Sequence, residues 1–116
     1  MAESSVKALI VRLLLRTGEG KLKWEETARE GVFQTAFPEY VVQVMERSDD
    51  YVVRVLDRNG SVVEEEADPD LKDDWPHAYA VMRSLYIEAR RSAKGVDKAI
   101  RDILSALGEE EDDIPF

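Results

Sequence analysis

Apolar residues first recur at helical spacing in Val6, Leu9, Ile10, Leu13 and Leu14. That spacing predicts a helix capped by Ser4 or Ser5 and stopped at about Thr17, before Gly18 and Gly20. Val11 and Leu15 widen the stripe, so this helix is expected to be flanked on two sides, while Lys7, Arg12 and Arg16 fall outside it as a solvated flank. A charged connector follows, with Trp24 as its one large apolar residue, expected to fold down as a lid on the core. The period then changes to two. Val32–Phe37, Tyr40–Glu46, Tyr51–Asp57 and Ser61–Glu65 read as four strands, separated by Pro38-Glu39, by Arg47-Ser48-Asp49-Asp50 and by Arg58-Asn59-Gly60. Such short breaks predict hairpins in an antiparallel meander.

Alternation puts Phe33 with Phe37, Val42 with Val44, and Val53 with Val55 on an inner layer. Gln34, Gln43 and Arg54 take the opposite, wetter parity. Val41, Met45, Val52 and Leu56 share that parity, which calls for a covering helix or an apolar contact patch on the second face. Helical spacing returns in Ala78, Val81, Met82, Leu85, Tyr86 and Ala89. This predicts a helix capped by Asp73 or Asp74, with Pro76 in its first turn, running to about Arg91. Val96, Ala99, Ile100, Ile103, Leu104 and Leu107 give an amphipathic last helix, closed by Gly108. The fold class is therefore α+β: an N-terminal helix, a four-stranded antiparallel meander and two C-terminal helices. One domain spans residues 1–108, and residues 109–116 follow as an acidic tail.

Composition narrows the chemistry. The 116 residues suit one small core, and 44% apolar with 35% charged residues is a globular balance. The absence of cysteine removes disulfides, thiolate metal sites and a Cys nucleophile. With no apolar run near the roughly 20 residues of a membrane span, a reducing cytoplasm is the expected setting. A formal net charge of −9 opposes unaided binding to DNA phosphates and favours a basic protein partner.

Nothing in the pattern builds an active site. His77 is the single histidine and falls near a helix start, where capping or exposure explains it. Gly18-Glu19-Gly20-Lys21 is too short for a phosphate-binding loop and follows a helix. Carboxylates are too abundant for any pair to signal acid–base catalysis. The run Glu64-Glu65-Glu66-Ala67-Asp68-Pro69-Asp70, with Asp73 and Asp74 beyond it, lacks the spacing of a calcium loop. It reads as a solvated edge strand leading into a helix, and alternatively as a mimic of DNA phosphates. Neither an enzyme nor a cofactor is expected.

The tail carries the most specific signal. Glu109, Glu110, Glu111, Asp112 and Asp113 lead into Ile114-Pro115-Phe116. The five charges repel one another and are expected to keep the segment disordered by itself, while Pro115 biases Ile114 toward an extended backbone. Phe116, as the last residue, would present a ring and an α-carboxylate together, which suits an apolar pocket rimmed by Arg or Lys. Burying the ring contributes roughly 1.5–3 kcal/mol.

Asp112, Asp113, Ile114, Pro115 and Phe116 resemble the C-terminal tip of bacterial single-stranded DNA-binding protein. The likeness covers these five residues and their acidic approach. It implies a non-catalytic interaction protein whose tip docks onto replication, recombination and repair enzymes, recruiting them or competing with the genuine tail. By the same resemblance the partners include RecQ-type and primosomal helicases, exonuclease I, the RecO recombination mediator and the clamp-loader chi subunit. In that family a long linker precedes the tip, whereas here only about eight residues follow the last helix. The body does not resemble that family's OB-fold; it is similar to small bacterial α+β domains without an assigned activity. A body-centred interaction or oligomerisation domain with an incidental tail is the alternative reading.

Overall fold

The computed structural model describes residues 2–108. The fold is α+β, in the order α1 (Ala2–Gly18), β1 (Glu25–Glu26), β2 (Val32–Ala36), β3 (Tyr40–Arg47), β4 (Asp50–Asp57), β5 (Val62–Ala67), α2 (Asp68–Leu71), α3 (Ala78–Lys94) and α4 (Val96–Leu107). The strands form one antiparallel sheet, β1-β2-β3-β4-β5. The expected meander is β2 to β5, and one further strand joins it.

That extra strand pairs Glu25 with Gln34 and Glu26 with Phe33. Two adjacent acids carry no apolar alternation, so the local pattern did not show a strand. Its neighbours hold it in place. Trp24 donates its backbone N–H to Ser92 Oγ at 3.0 Å and its indole N–H to Thr17 Oγ1 at 2.9 Å, and the Thr27 hydroxyl donates to the Val32 carbonyl at 3.0 Å. Trp24 closes the core as expected, with 4% of its surface exposed.

The β3–β4 connection is a two-residue turn. Arg47 pairs with Asp50, and both central residues have positive φ, 51° at Ser48 and 74° at Asp49. This handedness matches the twist of the strands it joins.

One face of the sheet carries the main core. Phe33, Val42, Val44 and Val53 share a buried cluster with Ile10 and Leu13 of α1 and Met82 and Leu85 of α3. Phe37 departs from the expected inner layer and is 40% exposed. Strand β2 ends at Ala36, and Pro38 follows, so the Phe37 ring falls beyond the sheet, beside α1.

The second face is closed by its own side chains. Val32, Met45 and Val52 form a small buried cluster with Ala67 against it, and Arg47 reaches over Met45, its Nη2 3.8 Å from Sδ. Beside this cluster, Glu25, Gln34, Gln43, Arg54 and Glu65 stand in register across all five strands. Gln34 donates to Glu25 and Gln43 to Gln34, each at 3.1 Å, and Arg54 donates to Glu65 at 2.8 Å. Val41 and Leu56, on the same face, remain partly exposed.

The expected cap at Asp73 or Asp74 is not the one used: α3 starts at Ala78 with His77 at its N-cap. The cause is Trp75, which is buried. Its N–H donates to the Leu71 carbonyl and its own carbonyl accepts from the Ala78 N–H. The chain from α2 through Trp75 is thus a series of turns that seats the indole, with the Lys7 ammonium 5.5 Å from the ring centroid. Helix α3 begins after Pro76, at Ala78, and continues to Lys94 rather than to Arg91.

Candidate functional site

The residues proposed from sequence as the docking site, Asp112, Asp113, Ile114, Pro115 and Phe116, lie outside the described residues. What the structure describes is the root from which they extend. Gly95 ends α3 in the left-handed conformation, φ 63° and ψ 38°, and donates its N–H to the last carbonyls of that helix. Glycine adopts this geometry at no steric cost. The chain is thereby turned away from α3 and immediately enters α4. Arg91 pins the new direction by donating to Asp97 at 2.7 Å.

Helix α4 buries none of its residues. Ile100, Ile103, Leu104 and Leu107 are 48–61% exposed along one side. The amphipathic pattern was legible in the sequence, but periodicity tells which residues share a face and not whether anything covers it. Gly108 then caps α4, donating to the Leu104 carbonyl at 3.1 Å.

One concavity flanks this root, and a second lies along α1 and shares Leu22 with it. In the first, about 290 Å³, Arg101 and Lys98 of α4 come near Gly18, Leu22 and Arg91. In the second, about 190 Å³, Leu9, Leu13, Leu22 and Phe37 make an apolar wall with Arg12 and Arg16. From the helical pattern alone, Arg12 and Arg16 read as a solvated flank. Phe37, displaced from the inner layer, is what turns that flank into a groove.

The other acid-rich stretch is largely committed to the body's own structure. Glu65 bonds Arg54 at 2.8 Å and Arg47 at 3.3 Å. The Arg54 hydrogen bond, reinforced by Arg47, holds its carboxyl below the ordinary glutamate value. Asp68 is buried and accepts the Tyr51 N–H at 2.7 Å. Asp70 accepts from the Ala67 N–H at 3.4 Å. No group of three or more His, Asp or Glu that could hold a metal ion is present among the described residues. His77 is exposed and makes no side-chain capping bond.

Tyr51, Tyr79, Tyr86 and Phe33 form an aromatic row between the sheet and α3, with ring centroids 5.5–5.6 Å apart. Burial, with the nearby Glu46 carboxylate adding to it, pushes the Tyr51 and Tyr86 phenols above their ordinary value. Both are packing residues of the core. None of the described helices is long and apolar enough to cross a membrane.

Comparison of the chain with protein-family models, with curated proteins and with solved structures gives no match.

Proposed function

We propose that this protein is a non-catalytic docking protein of the cytoplasm. Its tip, Asp112-Asp113-Ile114-Pro115-Phe116, engages enzymes that bind the tail of single-stranded DNA-binding protein. The observation that carries the reading is the sequence of the tip itself, five acids running directly into Ile-Pro-Phe. The ring of Phe116 supplies the apolar contact. The acids supply attraction to a basic rim, which weakens as salt screens it. The last helix ends at Leu107 and is capped by Gly108, so the tip starts from a folded root with almost no linker. A partner engaged by the tip is therefore held close to α4.

A pull-down from bacterial lysate tests this, comparing the full chain with Phe116→Ala and with a chain carrying one further residue after Phe116. The reading expects replication, recombination or repair enzymes to be captured by the first and lost from both others. Identical captured proteins from all three would refute it.

One observation favours a second reading. The exposed side of α4, with Ile100, Ile103, Leu104 and Leu107, is an apolar surface of the kind that marks protein contacts. In that reading the body binds its partner through α4 and the tail is incidental. The acidic DNA mimic is the weaker reading, because Glu65, Asp68 and Asp70 are engaged by their own chain.

A further inference from the structure

Leu9 and Leu13 of α1, Leu22 of the connector and Phe37 beyond β2 enclose the second groove, with Arg12 and Arg16 beside them. The two arginines differ. Arg16 bonds Glu19 at 3.0 Å, whereas Arg12 is exposed and has no ion-pair partner among the described residues. A cation with no ion-pair partner among the described residues, beside an apolar hollow, is the chemistry that a short acidic peptide with an apolar end would recognise.

We propose that this groove receives residues 112–116 of the same chain, with the Phe116 ring against Leu9, Leu13 and Leu22 and the acids of Asp112 and Asp113 toward Arg12 and Arg16. The proposal rests on the docking function given above for the tip and adds its regulation. A tip held in its own groove is withheld from a partner.

Size and charge support this occupant. The hollow of about 190 Å³ compares with the roughly 150 Å³ apolar cavity that takes up benzene in an engineered protein, so one aromatic ring fits it. The five acids at 109–113 make the peptide complementary to the two arginines. Leu22 lines both concavities, and Arg101 of α4 lines the first.

The test is methyl NMR of the full chain, compared with Phe116→Ala and with Arg12→Glu. Both substitutions are expected to shift the Leu9, Leu13 and Leu22 methyl signals alike and to leave Leu85, in the core, unmoved. Dilution should not change the wild-type signals. Arg12→Glu should also bind a tail-binding enzyme more tightly than the wild type does. For a tip held roughly nine-tenths of the time, the gain is about tenfold. Identical groove signals in wild type and Phe116→Ala would overturn the proposal, as would groove shifts that appear only at high concentration, which would place the contact between copies. Its failure is distinguishable from failure of the docking function. Silent groove signals with a tip that still binds the enzyme sink only the fold-back. Groove signals that respond, with no enzyme binding by Arg12→Glu, sink the docking function.

Discussion

The hydroxyl of Thr17 accepts the Trp24 indole N–H at 2.9 Å and donates its own O–H to the Leu13 carbonyl at 2.6 Å. Two buried polar groups from α1 and the connector thereby satisfy each other at the edge of the core. Replacing Thr17 with Val keeps the shape and removes the acceptor, leaving a buried N–H unpaired. A loss of about 1–3 kcal/mol in unfolding free energy is expected from urea denaturation. A midpoint equal to that of wild type would show that the indole finds water instead.

The Ser48-Asp49 turn holds two non-glycine residues at positive φ. Asn-Gly is the pair best suited to that geometry. The double substitution Ser48→Asn, Asp49→Gly should therefore raise stability by about 0.5–2 kcal/mol, read as a higher thermal midpoint. A lower midpoint would mean that the Ser48 or Asp49 side chain contributes more than the backbone gains.

Glu65 sets an acid-side dependence. Its folded-state carboxyl lies below the ordinary value because Arg54 and Arg47 bond the charged form. A depressed carboxylate contributes stability above its unfolded value, and that contribution is lost as pH falls through the folded one. The pair is partly exposed, so the effect is small and salt-sensitive. Glu65→Gln should flatten the decline in stability as pH falls below the ordinary glutamate value. An unchanged slope would assign that decline to other acids.

The strand alternation of β2 to β4 placed Phe33, Val42, Val44 and Val53 in the core correctly, because a half-buried strand must alternate. What stayed hidden depended on partners distant in sequence. The pairing of Glu25 and Glu26 follows from the anchoring of Trp24 by Ser92, 68 residues away. The late start of α3 follows from the burial of Trp75, which outweighs the capping offered by Asp73 and Asp74. The groove beside Arg12 follows from where Phe37 lands once β2 ends. The tip is read from its residue pattern alone, since residues 109–116 lie outside the described residues.

The exposed side of α4 gives a contrast between stability and contact. Because Ile103 and Leu107 are about 60% exposed and α4 buries no residue, the double substitution Ile103→Glu, Leu107→Glu should change unfolding free energy by no more than about 0.5 kcal/mol per site. A loss of several kcal/mol in calorimetry would mean that this side is covered in solution, and would strengthen the reading centred on the body.

The tip is tested most directly by competition. A fluorescent peptide copying the single-stranded DNA-binding protein tail is bound to exonuclease I, and the full chain is titrated in while anisotropy is read. The account predicts displacement by the wild type, stronger displacement by Arg12→Glu, none by Phe116→Ala, and weaker displacement as salt is raised. Anisotropy that stays high at saturating wild-type and Arg12→Glu protein, repeated with the other tail-binding enzymes, would contradict it.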